Sequence, residues 1–400
     1  MYNIAEITNT IISGHALAEL KKFPSDSIDC VITSSPYLGL RTYDTEPQIW
    51  GGDFACQHTW EEHIQKPKGG RNLPDNMPSV GNNKTIQKMD NPRFGVKSNF
   101  CLICGAWLGE LGQEPTPKMF VDHLVEIFME CARVLKPKGT MWINIADSYS
   151  GSNQGNGAPP SGKNATNRGT SKMQLENHKS TLSNLDIPKK SLIGIPDRLK
   201  IALIDNGLIC RNEIIWHKPN QMPSSAKDKF TPDYEKLYFF TKSKKYYFEQ
   251  QLEPYTKPMN RWAGDILAAD GNSEWDEGTG QSSYRNRNMR PNSNGKNMRS
   301  VWSINTVPSK IKHFAMFPEK LIERPILAGC PVLICKTCGK TFSENKDICW
   351  CGHDNFETGI VLDPFMGSGT TARVAKKNMR NYIGIELNPE YAEVSRKSLQ

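Results

Sequence analysis

Near the end of the chain, Asp363-Pro364-Phe365-Met366-Gly367-Ser368-Gly369-Thr370-Thr371 places two glycines one residue apart, after an apolar run at 360–362 and before helical spacing at 370–377. Glycine lacks a Cβ, so backbone there can approach a ligand closely. The helix that follows offers free N–H groups and a positive dipole end, which favour a carboxylate or phosphate. The spacing is not G-x-x-x-x-G-K-[ST], so an ATP phosphate loop is not supported, and the absence of G-x-G-x-x-G weakens a nicotinamide or flavin reading. The next apolar run, 382–386, closes on Glu386 ahead of Leu387-Asn388-Pro389. An acid closing the second strand of a nucleotide-binding unit is placed to accept hydrogen bonds from both ribose hydroxyls.

The cysteines form a second chemical group. Cys335-x-x-Cys338 and Cys349-x-Cys351 supply four thiolates at zinc-ribbon spacing, enough to close a tetrahedral structural site. Gly339 and Gly352 follow the two pairs as tight knuckles need, and His353 is an alternative ligand. Cys56-x-His58 with Cys101-x-x-Cys104 is a second candidate set, which would pin both ends of a polar excursion. One or two structural zinc ions are expected, and their binding would be folding energy. Cys30, Cys131, Cys210 and Cys330 have no partner by spacing and are expected as core or near-surface thiols.

Strands and helices must position these groups. The pattern predicts strands at 10–12 and 28–33 around a helix at 16–20. The second strand runs into Ser34-Ser35-Pro36-Tyr37, where Pro36 forbids continuation as an inner strand. Catalytic loops of open α/β folds sit at such carboxyl ends. Phe120, Leu124, Ile127, Phe128, Cys131 and Leu135 follow helical spacing, with a strand at 140–145 after the Lys136-Pro137-Lys138-Gly139 stop. A helix at 196–206 has Pro196 in its first turn and Gly207 as its stop, with strands at 208–216 and 236–241 and a helix at 317–328. Strand 360–362, helix 370–377, strand 382–386 and helix 389–398 complete the alternation, which predicts an α/β fold on a parallel, Rossmann-like sheet. Segments 61–100, 150–185 and 253–300 are polar, and 150–185 reads as a mobile loop.

The chain has 400 residues, 37% of them hydrophobic, and a net charge of +8. A modest positive excess suits a polyanionic partner without proving one. The start lacks a basic region followed by an apolar run, and no apolar stretch approaches the roughly 20 residues that span a bilayer. A cytoplasmic protein with no membrane partner is expected, where C-x-x-C pairs point to metal sites rather than disulfides.

Segments 363–371 and 384–391 resemble the first and second cofactor motifs of amino-methylating DNA methyltransferases. The resemblance implies S-adenosylmethionine as cofactor, its methionyl part at the Gly-rich turn and its ribose at the acid. Carried over, Asp363, Pro364, Phe365, Gly367, Ser368, Gly369, Thr370, Glu386 and Asn388 line it. Phe314-Ala315-Met316-Phe317-Pro318-Glu319-Lys320-Leu321 is similar to the family segment that packs over the cofactor carboxylate, which adds Phe314 and Pro318. Thr33-Ser34-Ser35-Pro36-Tyr37 resembles the family's catalytic tetrapeptide of Ser, Asn or Asp, two prolines and an aromatic, with Ser35 in place of the first proline. An exocyclic amine is a poor nucleophile because its lone pair is delocalised into the ring. Ser34 and the carbonyl of Ser35 would accept its two N–H bonds, Pro36 would stiffen the loop, and Tyr37 would stack on the flipped base, worth about 1–3 kcal/mol. Segments 133–140, 144–149 and 215–220 match the family further, whereas His15 stands where relatives often carry an acid.

The catalytic loop precedes the cofactor turn, an order that resembles the permuted beta class and implies target recognition between the two. The chain divides accordingly. Residues 1–60 carry the catalytic loop, 61–117 an insertion with the possible second zinc site, and 118–219 the methyltransferase domain with loop 150–185. Residues 220–300 form the target-recognition region and 301–400 the cofactor part with a zinc ribbon at 331–354. Arg285, Arg287, Arg290, Lys296 and Arg299 stand among Asn and Ser with no acid, a composition suited to phosphates and base edges. Lys163, Arg168 and Lys172 are placed to close over DNA. The partner implied is double-stranded DNA, with a cognate restriction endonuclease acting independently and the chain a monomer or homodimer. Ser at the first loop position accompanies cytosine N4 methylation in the family, and Asp or Asn accompanies adenine N6 methylation. The departure at Ser35 keeps adenine open. C5 methylation needs a Pro-Cys nucleophile that is absent. RNA methylation and an inactive DNA-binding zinc protein are the remaining alternatives.

Overall fold

A computed structural model describes residues 1–39, 45–53, 55–60, 99–151, 185–255, 294–307 and 317–399. The described elements begin with α1 (Ile4–Ile7), β1 (Thr10–Ser13), α2 (Ala16–Leu20), β2 (Ile28–Ser34), β3 (Gln48–Trp50), β4 (Trp107–Gly109), α3 (Pro117–Val134) and β5 (Leu135–Ile145). Next come α4 (Ile195–Asp205), β6 (Ile209–His217), β7 (Tyr234–Thr241), β8 (Leu252–Glu253), β9 (Lys296–Asn297), β10 (Val301–Ser303) and α5 (Glu319–Gly329). The chain ends with β11 (Leu333–Cys335), β12 (Thr341–Phe342), β13 (Phe356–Thr358), β14 (Ile360–Asp363), α6 (Thr370–Lys377), β15 (Asn381–Glu386) and α7 (Pro389–Lys397).

The chain divides into two compact units, one of residues 1–37, 124–147 and 194–400, the other of residues 38–123 and 148–193. The first is built on an eight-stranded sheet of order β1-β15-β14-β2-β5-β7-β6-β10. Strands β1, β15, β14, β2 and β5 are parallel, as their buried apolar runs predict. The parallel pairing expected from the alternation holds for those five strands but stops at β7, which runs antiparallel to both β5 and β6. Residues 218–233 join β6 to β7 without a helix, and a parallel return needs a crossover that a helix usually supplies. The sheet is therefore mixed. Strand β5 also starts earlier than predicted, at Leu135, with a register shift opposite Ile28 and Cys30 that absorbs Pro137 and Gly139.

Register aligns one edge of the sheet. Ser13 pairs with Glu386, Asp363 with Gly384, Ser34 with Asn144, and Ile145 with Lys236. The carboxyl ends of β15, β14, β2 and β5 thus lie beside the start of β7. The chain leaves β14 toward β15 on one side and β2 toward β5 on the other, the switch point at which open α/β sheets bind ligands. One face packs Ile32, Trp142, Phe239, Leu321, Ile326 and Val374 into a buried core, with Trp142 and Phe239 stacked at 4.0 Å. The predicted stripe of α3, including Leu124, Ile127, Phe128 and Cys131, is fully buried. Cys30 and Cys330 are also core thiols, and Cys210 is half-buried.

Strands β11, β12 and β13 form a separate small sheet between α5 and β14. In the second unit, β3 and β4 pair antiparallel, and Trp50 and Trp107 both stack with His123, which bonds the buried Glu114 at 3.0 Å. Among the described residues no helix is long and apolar enough to cross a membrane.

Candidate active site

The glycine turn leaves β14 at Asp363, which is fully buried. Thr33 Oγ1 donates to its Oδ1 at 2.6 Å, Phe365 N to the same oxygen at 3.0 Å, and Thr371 Oγ1 to Oδ2 at 2.6 Å. Burial outweighs these bonds and pushes the carboxyl up to about 6. Asp363 is thus the clasp between β2, the turn and α6, its oxygens engaged within the chain. Gly369 caps α6 in the left-handed region, φ +83°, and a Cβ there would lie 2.3 Å from Ser395 Oγ, so no other residue fits without displacement. Pro364, Ser368 and Thr370 are buried, whereas Phe365 and Gly367 keep partial access to solvent. Gly367 N donates to Glu386 Oε2 at 2.8 Å and Asn388 N to Oε1 at 2.9 Å, which ties the turn to the end of β15. Burial raises the Glu386 carboxyl. Asn388 caps α7 by accepting from Glu390 N and Tyr391 N. Pro318 is the N-cap of α5, and Arg373 of α6 reaches Glu319 at 3.3 Å. Phe314 lies outside the described residues.

Ser34, Ser35, Pro36 and Tyr37 emerge beside this turn, one residue beyond Thr33. Ser34 Oγ donates to Asn144 Oδ1 at 3.2 Å, and Ser35 N donates to Asn144 O at 3.2 Å. Asn144 Nδ2 donates to Lys236 O at 3.2 Å, which fixes the amide so that Oδ1 faces the loop. The Ser34 hydroxyl spends its proton on Asn144, and its oxygen remains an acceptor. Tyr37 Oη donates to Glu235 Oε2 at 2.8 Å and lies 3.4 Å from Asn144 Oδ1. Lys218 Nζ donates to Glu235 Oε1 and lies 4.4 Å over the Trp216 ring. Ser35 is buried, and its hydroxyl has no partner among the described residues. Asp147 accepts from Gly194 N and Ile195 N at the start of α4, and His15 is the N-cap of α2.

Spacing and motif put Ser34–Tyr37 at the end of a strand but assign no role to Asn144, Lys218 or Glu235. Segments 144–149 and 215–220 were visible as matches. Glu235 left one faint signal, an acid at the mouth of an apolar strand.

Both cysteine sets come together. The ligand atoms of Cys335, Cys338, Cys349 and Cys351 all lie within 4.8 Å of one another, as do those of Cys56, His58, Cys101 and Cys104. Sulfur separations of 3.6 Å for Cys335–Cys351, 3.5 Å for Cys338–Cys349 and 3.8 Å for Cys56–Cys101 suit a tetrahedron with zinc–sulfur bonds of about 2.3 Å. His58 Nδ1 is 3.4 Å from Cys104 Sγ. His353 is not grouped with the ribbon thiols, and its Nδ1 lies 3.0 Å from the Cys351 carbonyl.

Arg285, Arg287 and Arg290, with loop residues Lys163, Arg168 and Lys172, lie outside the described residues. Lys296 and Arg299 both pair with Glu253, at 3.4 and 2.7 Å.

Residues 28–397 match the family described as DNA methylase. The chain is 32% identical over 393 residues to the type II methyltransferase M.XycI of Xanthomonas campestris pv. cyanopsidis, spanning 98% of this chain and 88% of that one. It is 31% identical over 395 residues to the type II methyltransferase M.Cfr9I of Citrobacter freundii, spanning 98% and 87%. The solved PvuII DNA methyltransferase (cytosine-N4-specific) aligns with 97% of this chain and 85% of its own, at 16% identity and a TM-score of 0.47.

Proposed function

The chain belongs to the DNA methylase family of N6/N4 amino-methyltransferases, and from that premise we propose that it methylates the N4 amine of a cytosine flipped out of double-stranded DNA, with S-adenosylmethionine as donor. The observation that carries this reading is the Thr33–Asp363 hydrogen bond, which sets the Ser34 acceptor beside the glycine turn across 330 residues of sequence. The turn suits the donor. A Cβ built on Gly367 would meet nothing nearer than Phe365 O at 4.0 Å, which leaves open space against the backbone. Phe365, Gly367 and Glu386 would hold the donor there, and it supplies an electrophilic methyl group on sulfur.

The chain's own residues act on the acceptor. Ser34 Oγ and the Ser35 carbonyl accept the amine's N–H bonds and draw its lone pair out of the ring. Pro36 stiffens the loop and Tyr37 stacks on the base. Serine at the first position favours cytosine. Mass spectrometry of nucleosides from DNA modified by the chain in cells tests the choice: N4-methylcytosine is expected, N6-methyladenine would reassign the base, and unmodified DNA would sink the activity. The basic stretch that includes Arg285, Arg287, Arg290, Lys296 and Arg299 is assigned to DNA.

Both cysteine sets are assigned structural zinc, closed and without catalytic position. Elemental analysis should find about two zinc ions per chain, one for each cysteine set. Cys338→Ser with Cys351→Ser should lose one ion and open the β11–β13 region to proteolysis. A metal-free wild-type chain with the same protease resistance would refute both assignments.

A further inference from the structure

We infer that Glu235, held by Lys218, is a positioning residue that sets the plane of the Tyr37 ring for the target base. The inference rests on the amino-methyltransferase reading and adds residues to its site. Strands β6 and β7 are in register with Trp216 opposite Glu235, and Lys218 N closes the ladder on Asp233 O at 2.7 Å. Lys218 folds back over Trp216 to reach Glu235, and the two side chains are only 13% and 11% exposed. A carboxylate so far removed from water is costly unless paired. Here one oxygen takes the ammonium and the other takes the Tyr37 hydroxyl at 2.8 Å.

The consequence is geometric. Tyr37 sits on an irregular loop just beyond β2, and two side-chain torsions set the direction of its ring. A charge-assisted bond at its far end, anchored on the sheet, fixes both torsions. The same hydroxyl lies within 3.4 Å of Asn144 Oδ1, which also receives Ser34 Oγ. The stacking ring and the amine acceptor are therefore referred to one rigid frame, formed by the end of β5 and the start of β7. Stacking without that frame would bind a base but leave its amine free to rotate off the line of attack, and near-attack alignment is worth orders of magnitude in rate.

The test uses the full chain, methyl-labelled S-adenosylmethionine and DNA from cells lacking N4-methylcytosine and N6-methyladenine. Glu235→Gln should lower the single-turnover rate about tenfold at saturating DNA with cofactor affinity unchanged. In a Tyr37→Phe background, which keeps the ring and leaves the ion pair intact, Glu235→Gln should cost no more than about twofold further, because the two act through one bond. In tyrosine Cζ-labelled protein, the resonance that vanishes in Tyr37→Phe should shift in Glu235→Gln. An unmoved resonance, or an undiminished tenfold loss in the Tyr37→Phe background, would overturn the inference whatever the activity. A resonance that shifts in Glu235→Gln while the wild-type chain transfers no methyl would instead remove the enzymatic reading, and the positioning role with it.

Discussion

Ser34→Ala is expected to lower the single-turnover rate of methyl transfer by about 10²–10³-fold, the loss typical of deleting one preorganised hydrogen-bond partner of a transition state. The side chain is small and its environment defines the effect. Asn144 Oδ1 takes the hydroxyl proton, and Asn144 is itself oriented by Lys236 O, so the Ser34 oxygen is presented as an acceptor before substrate arrives. An acceptor that strengthens as the amine becomes more tetrahedral contributes to rate more than to binding. The loss should therefore fall on the rate at saturation, with DNA affinity changed by no more than about threefold. Stability should fall by only about 1 kcal/mol, the net worth of one ordinary hydrogen bond. Thermal unfolding of the variant beside its rate separates the two effects. A rate within tenfold of wild type would take Ser34 out of the chemistry.

What could be read in advance follows from how local each constraint is. The glycine turn was legible because its demands are backbone demands: Gly369 must adopt φ +83° and stand clear of Ser395, and the sequence answers with glycine. The grouping of Cys335, Cys338, Cys349 and Cys351 was legible because the spacings are short, and their four sulfur atoms lie within 4.8 Å of one another. Asp363 was visible as part of the motif, but its position gave no hint that Thr33 would engage it, since that bond exists only once β2 and β14 pair. The frame of Asn144, Lys218 and Glu235 was hidden for the same reason. Each comes from a different strand end, and their meeting depends on β7 running antiparallel, which alternation of strands and helices does not encode. The tail of the basic stretch shows the converse: Lys296 and Arg299 looked free of acids in sequence, yet Glu253 reaches both across the β8–β9 pair.

Asp363 carries the other large effect. Asp363→Ala would leave the buried Thr33 Oγ1 and Thr371 Oγ1, and the half-buried Phe365 N, without their acceptor. Each such group costs about 1–3 kcal/mol, and neighbouring losses do not simply add, so a destabilisation of about 3–5 kcal/mol is expected. Release of the turn should abolish cofactor binding measured by calorimetry even where the variant still folds. Asp363→Asn isolates the charge. Burial raises the carboxyl from 3.8 to about 6 in the folded chain, so between those values the native state holds a proton that the unfolded state has lost. Stability from this group is full below about pH 4, declines as pH climbs toward 6, and is flat above it. The total is about 3 kcal/mol at 1.36 kcal/mol per pKa unit. Other buried carboxyls raised by desolvation, Asp29, Glu114 and Glu386, bend the curve in the same direction in both proteins. The difference between wild type and Asp363→Asn removes them, and that difference should slope between pH 4 and 6. Parallel denaturation curves for the two proteins across that window would mean that the hydrogen bonds from Thr33, Phe365 and Thr371 fully offset the cost of burying the carboxylate.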